Sequence, residues 1–209
     1  MDTLNHAAPE GAVLLFNGQD TANWTTRDGG APGWKVEDQI LHVVPRTGDI
    51  MSTQRMGDHF LHLEFRCPDL PDATGQAKGN SGVFIQGRYE IQVLDSYGWE
   101  KPGMGDCGGI YNKFAPLVNA CRPPMEWQTY DLCFRAPRAG EPGPRLTLVH
   151  NGMVIHNNVQ IEGVCGAAID EEIYTSGPLL LQDHSDLVCY RNIWMVELPE
   201  AGSSTYEPS

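Results

Sequence analysis

Gly79-Asn80-Ser81-Gly82-Val83-Phe84-Ile85-Gln86-Gly87-Arg88-Tyr89-Glu90-Ile91-Gln92-Val93-Leu94-Asp95 reads as two strands joined by a tight turn at Gly87-Arg88. From Tyr89 to Leu94, apolar and polar residues alternate, the period of a strand with one face in a core. Ile91 and Val93 are therefore expected to point inward, and Glu90 and Gln92 outward. A carboxyl beside a carboxamide packs poorly but binds well. The outward face of this sheet is where function is expected.

The remaining chain repeats the pattern. Val13–Phe16 reads as a short strand, Trp34–Val36 and Gln39–Val43 as a hairpin around Glu37-Asp38, and Phe60–Cys67 as a strand with Leu61, Leu63 and Phe65 on one side. Trp127–Ala136 follows, then Arg145–His150 and Met153–His156 across Asn151-Gly152, a strong two-residue hairpin signal. Pro178–His184 and Val188–Glu197 complete about a dozen short strands. The expected fold is all-β: a two-sheet antiparallel sandwich with few short helices. Residues 1–200 are expected to form one domain and 201–209 a C-terminal tail. The stretch Gly98–Glu126 is rich in glycine and proline without a clear period. Its length points to a functional loop, and its aromatics argue against disorder.

Composition narrows the ligand. Asp and Glu number 27 against 14 Lys and Arg, a formal charge of −13. Nucleic acid and anionic membrane surfaces call for the opposite balance, so a neutral ligand such as a carbohydrate is expected. No segment is long and apolar enough to span a bilayer. The first residues lack a signal-peptide pattern, which leaves cytoplasmic and mature exported forms equally open. Cysteines 67, 107, 121, 133, 165 and 189 match no zinc spacing. They are expected to be reduced, with Cys133 and Cys189 in the core, and no structural metal is expected.

If Leu61, Leu63, Phe65, Ile91 and Val93 share one inter-sheet core, then His62, Glu64, Arg66, Glu90 and Gln92 share the opposite face. Gln182 and His184 would add one row and His150 another, with Leu180 an apolar break. Taken singly, His62 reads as an ordinary solvent-facing residue. Asp183 reads as structural. Arg191 alternates with Cys189 and Ile193, which puts it on the core side, paired with Asp183 or Asp131.

Several short motifs occur in one order: Phe16-Asn17-Gly18 with Trp24, Trp34 to Asp38, Gly79 to Gly82, Tyr89 to Asp95, His150-Asn151-Gly152, and Gly177 to His184 followed by Arg191 to Trp194. Together they resemble the 3-keto-disaccharide hydrolase family over Val13 to Leu198. The resemblance implies a concanavalin A-like jelly roll and cleavage of glycosides already oxidised to a ketone at C3. It places Asn80, Ser81, Glu90, Gln92, Gln182, His184, Arg191 and Asn192 at family motif positions. Leu180 departs from the polar or basic residue common there, so substrate contacts are expected to differ.

On a 3-keto sugar the ketone acidifies the C2 proton. One base can remove it, the C1 leaving group is expelled, and water addition completes hydrolysis. This calls for a base of near-neutral pKa, an acid for the leaving oxygen and donors at the enolate. Glu90, His184 and His150 are the catalytic candidates. Glu64, Arg66, Asn80, Ser81, Gln92, Gln182, Trp99 and Tyr111 are the substrate-binding candidates. No cofactor is required, although a divalent cation could replace the donors at the enolate. Two other functions fit: a conventional glycoside hydrolase using Glu90 and Glu64, and a carbohydrate-binding module without catalysis.

Overall fold

The computed structural model describes residues 2–200. In chain order the first seven strands are β1 (Val13–Leu14), β2 (Trp24–Thr26), β3 (Lys35–Glu37), β4 (Ile40–His42), β5 (Ile50–Met56), β6 (His59–Arg66) and β7 (Ser81–Ile85). Then come β8 (Tyr89–Val93), β9 (Gln128–Arg135), β10 (Arg145–His150), β11 (Met153–Gln160), β12 (Gly177–Leu181) and β13 (Cys189–Glu197). Among the described residues the sole helical element is a 3-10 turn at Gly75–Ala77.

The strands form two antiparallel sheets, as the alternation predicts. The larger runs β11-β10-β9-β6-β13-β4-β3, with β1 paired to β13. The smaller runs β2-β5-β12-β7-β8. Leu61, Leu63 and Phe65 of β6, and Tyr130, Leu132 and Phe134 of β9, meet Val83, Ile85, Tyr89, Ile91 and Val93 in one apolar core. Tyr89 reaches across the sandwich to Phe134, with ring centroids 5.7 Å apart.

Local signals hold in most places. Asn151 (φ 50°) and Gly152 (φ 82°) make the turn between β10 and β11, the pair of positive φ values that a two-residue hairpin needs. The β7–β8 turn is one residue longer than expected, Gln86-Gly87-Arg88, with Gln86 and Gly87 both at positive φ. Strands β2 and β5 carry no clean alternation and were not anticipated from the sequence. In β5 the buried set is Ile50, Ser52 and Met56, so a hydroxyl interrupts the apolar face. Neither Cys133 nor Cys189 joins the inter-sheet core: Cys133 lies exposed on the outer face of β9, and Cys189 is buried beside Arg66 and His42 on the outer side of β13.

The β12-β7-β8 part of the smaller sheet is covered on both sides. Every residue of β7, β8 and β12 is buried, so the outward face is not the half-exposed surface the alternation suggests. The cover is the long loop after β8. Gly109 O accepts from Gln92 N at 2.9 Å, Gly108 N donates to Gln92 O at 2.9 Å, and Tyr111 N donates to Glu90 O at 3.0 Å. The loop thus pairs with β8 and closes an edge that would otherwise stay unpaired.

A second covering segment is anchored by Arg88. Its guanidinium, fully buried, holds Asp170 in two bonds and donates to Thr175 O at 2.8 Å and Thr175 Oγ1 at 3.0 Å. Backbone bonds from Cys165 N to Arg88 O and from Ile169 N to Gly87 O fasten the same stretch. Arg88→Ala would leave the Thr175 carbonyl and Asp170 without their donors. We expect it to lower unfolding free energy by about 3 kcal/mol, read from the urea midpoint. Arg88→Lys should recover only part, because an ammonium cannot reproduce the two-point fork.

Candidate active site

The site is assembled by strand register. Leu180, Phe84 and Glu90 form one row across β12, β7 and β8. Gln182, Gly82 and Gln92 form the next: Gly82 pairs with Gln92, and Gln182 N donates to Gly82 O at 3.0 Å. Both rows lie on the face away from Ile91 and Val93. An apolar row therefore runs up to the carboxyl, and two carboxamides flank a glycine beside it. A Cβ on Gly82 would fall 2.7 Å from Glu90 Oε1 and 2.8 Å from Phe84 Cε2. Glycine is the residue that leaves the Glu90 carboxyl its place.

Glu90, Gln92, Gln182, Asn80, His184 and Tyr111 line one hollow of about 130 Å³, together with Gln76, Gly166 and Ala167. Glu90 is 5% exposed, and its carboxyl accepts no hydrogen bond from another described residue. Burial, and then the nearby Asp49 carboxylate, push its pKa up to about 8. Asp49 is itself committed to Arg27 Nε at 2.8 Å and to Asp183 N at 2.9 Å.

Gln76 organises the amides. Its Oε1 accepts from Gln92 Nε2 at 2.9 Å and its backbone O from Asn80 Nδ2 at 2.8 Å. Gln92 Nε2 also donates to Gly105 O at 3.2 Å. These bonds orient the amides and leave Gln92 Oε1 buried without a partner, as is Gln182 Oε1. Two buried acceptors in one polar hollow are free to accept from a donor that enters it. His184 is exposed, at the rim.

Other candidates lie elsewhere. Alternation put Glu64, Arg66 and Glu90 on outward faces, but these are the outward faces of opposite sheets. Glu64 accepts from Asn5 N at 2.6 Å, Arg191 Nε at 2.7 Å and Asn192 Nδ2 at 3.0 Å. Burial works to raise its pKa, yet the His62 ring 3.7 Å away and bonds from Asn192, Arg191 and Asn5 hold it down to about 2. Arg66 stacks on Trp127, 4.9 Å from the ring centroid. His150 faces the inter-sheet core, where burial drives its pKa down to about 3, too weak a base to take a proton near neutrality. Ser81 also points inward, donating to Gln182 O at 2.6 Å and bonding Tyr190 Oη at 2.7 Å. Trp99 is exposed and does not line the hollow.

His62 is not solvent-facing but fully buried, with Nδ1 2.7 Å from Asp131 Oδ1. Burial alone would lower its pKa, but the bonds to Asp131 and Glu64 carry it up. Arg191 lies on the outer face and pairs with Glu64, not Asp183 or Asp131. A bulge between Arg191 and Trp194, with Asn192 at φ 48°, reverses the parity that alternation assigned it. Asp183 does cap a loop, accepting from Thr47 N at 2.9 Å and Gly48 N at 3.0 Å. A wider cavity of about 550 Å³ beside Glu64 and Arg191 has its buried acid, Glu64, fully paired and its other acid, Asp38, exposed to solvent, so the smaller hollow is the better reactive site.

The sequence reading missed Gln76, Gly82, Phe84, Gly166 and Ala167. Gly82 had a legible signal, a glycine inside a strand pattern, which often marks close approach. Gln76 and the Gly166-Ala167 pair reach the hollow only through loop packing.

Comparison with known proteins places the chain. Residues 11–196 match the family described as the 3-keto-alpha-glucoside-1,2-lyase-like domain. A solved structure of a provisionally named glycosyl hydrolase from Parabacteroides distasonis ATCC 8503 is 38% identical, with a TM-score of 0.82 over 92% of this chain and 86% of that one. A second such protein from the same organism is 20% identical, with a TM-score of 0.67 over 91% of this chain and 95% of that one. A structure of the alginate lyase Aly36B with an alginate trisaccharide shares the fold, at 10% identity and a TM-score of 0.53, over 95% of this chain and 97% of that one. No curated protein matches the chain.

The raised pKa makes a stability prediction. Folded Glu90 holds its proton more tightly than the unfolded chain, whose carboxyl has the ordinary value of 4.5. Its stabilising effect is full below about 4.5 and is lost as pH rises towards about 8. Across that window, wild type should lose stability relative to Glu90→Gln by an amount on the order of a few kcal/mol. Paired urea titrations from pH 4.5 to 8.5 would show it, and parallel curves would refute the shift.

Proposed function

The chain belongs to the 3-keto-alpha-glucoside-1,2-lyase-like family, and on that premise we propose that it cleaves 3-keto glycosides, with the Glu90 hollow as its active site. The observation that carries this reading is an uncommitted carboxyl with its pKa pushed up to about 8 among amides with buried free acceptors. A base poised near the working pH is what C2 proton abstraction needs.

In this mechanism the Glu90 carboxylate takes the C2 proton, and the C2–H electrons move towards the C3 ketone as an enolate. Gln182 and Tyr111, both lining the hollow, would supply the amide and hydroxyl donors for that oxygen. As the ketone re-forms, a C1–C2 double bond develops and the C1–O bond to the aglycone breaks. The departing oxygen takes a proton from Glu90, now an acid, or from His184 at the rim. Water then adds at C1 and a proton returns to C2, giving net hydrolysis. Gln92 Oε1 and Gln182 Oε1 accept from sugar hydroxyls and hold the ring. Leu180 and Phe84 keep Glu90 dry enough to remain a base of this strength.

A conventional glycosidase needs a second carboxyl within about 5–9.5 Å. Among the described residues lining the hollow, Glu90 is the sole acid, and the nearby Asp49 carboxylate lies outside that lining, already held by Arg27 Nε and the Asp183 N–H. Glu64 faces away from the other sheet, more than one sandwich thickness of ~10 Å distant. A one-carboxyl mechanism therefore suits the hollow better.

A 3-keto disaccharide and its unoxidised parent, assayed side by side, test the proposal. Only the keto sugar should be cleaved. Glu90→Gln should lose ~10²–10⁴-fold in kcat/KM. Gly82→Ala should lose ~10²-fold by displacing the carboxyl, and His184→Ala should lose less than Glu90→Gln. Equal turnover of the parent would establish a conventional glycosidase, and tight binding without turnover a binding module.

A further inference from the structure

Beneath the paired loop, three side chains distant in sequence converge. The donor atoms of Cys107, Cys121 and His150 all lie within 4.8 Å of one another. Among the described residues this is the one such group of three or more His, Cys, Asp or Glu. Cys107 and His150 are 2% and 1% exposed, while Cys121 is half-buried.

The imidazole's protonation is fixed by its surroundings. His150 Nε2 lies 2.9 Å from Gln128 Oε1. That oxygen also accepts from Arg122 N at 3.0 Å and Asn151 Nδ2 at 3.3 Å, which settles the orientation of the amide. Nε2 must then carry the hydrogen, and Nδ1 holds a lone pair. Nδ1 is buried and has no hydrogen-bond partner. A histidine whose outer nitrogen donates to a fixed oxygen, with its inner nitrogen free beside two sulfurs, has the arrangement of a metal ligand.

The geometry points to a binding site for one thiophilic d10 cation, Zn²⁺ or Cu⁺, held by Cys107 Sγ, Cys121 Sγ and His150 Nδ1. Binding releases two thiol protons, so a divalent ion with two thiolates and a neutral imidazole leaves no net charge in the buried site. Metal–sulfur and metal–nitrogen bonds of ~2.3 and ~2.0 Å set donor separations of ~3.5–3.8 Å, so only a small closing of these side chains is needed. Tyr130 Oη lies 3.2 Å from Cys107 Sγ and donates its hydrogen to Gln92 O at 2.7 Å, which leaves a fourth position to a water. A Cys107–Cys121 disulfide is the competing use of the sulfurs, but it would leave Nδ1 still without a partner.

The ligands span the molecule. His150 ends β10 in the larger sheet, whereas Cys107 precedes the Gly108-Gly109 pair that bonds to Gln92. Cys121 is held by Asn119 Oδ1, which accepts its N–H at 3.0 Å. An ion here would clamp the loop that brings Gly105 and Tyr111 to the hollow. The inference does not depend on what that hollow binds.

Native mass spectrometry tests it on the full chain, reduced and freed of metal, then titrated separately with Zn²⁺ and Cu⁺. One tightly held ion per chain is expected in at least one arm, and competition between arms identifies which. Cys121→Ser should weaken binding at least tenfold, while Cys133→Ser, at an exposed thiol, should leave it unchanged. Loading wild type with Co²⁺ should give thiolate-to-metal charge-transfer absorption, a readout independent of any variant's folding. The inference is overturned if neither ion binds folded, reduced protein or if Cys121→Ser binds as wild type does. A Cys107–Cys121 disulfide in protein isolated from cells would overturn it as well.

Discussion

The cross-strand register of β12, β7 and β8 is the constraint on which the rest of the site depends. It sets Leu180 and Phe84 in line with Glu90, and sets Gly82 where a side chain would strike the carboxyl. A slip of one residue would turn Glu90 into the core and bring Ile91 out. The raised pKa of Glu90 follows from that placement. It is desolvated by an apolar row on one side and a covering loop above, with no donor to hold its charged form.

The opposite sheet offers a useful contrast. Glu64, His62, Asp131 and Arg191 are the kinds of residues that build active sites, and they too are partly or fully buried. Here each charge has found an opposite charge or a donor. His62 bridges Asp131 and Glu64, Arg191 and Asn192 complete Glu64, and Arg191 stacks on Trp127 with 4.2 Å to the ring centroid. The same pressure of burial that lifts the Glu90 pKa is overcome at Glu64 by its donors. A carboxyl already satisfied by its neighbours is poor chemical equipment and good structural cement.

Covering segments supply what strands alone could not. The loop after β8 bonds to the backbone on both sides of Ile91 and carries Tyr111 over the hollow. The segment fixed to Arg88 brings Gly166 and Ala167. Both act on side chains whose positions the sheet has already set, so the strands give precision and the loops give enclosure.

Alternation of residue character was enough to read the two-sheet architecture, the core membership of Leu61, Leu63, Phe65, Ile91 and Val93, and the outward orientation of Glu90 and Gln92. Those are local properties, because successive side chains on a strand point to opposite faces. Which sheet a strand joins depends on pairing between distant segments. Glu64 and Glu90 could therefore look like neighbours in sequence logic while facing away from each other in space. The bulge at Asn192 and the mixed pattern of β5 hid Arg191 and a whole strand in the same way. Only the folded chain brought Gln76 to Gln92, left Glu90 without a donor and gathered Cys107, Cys121 and His150, since each of these turns on contacts between residues far apart along the backbone.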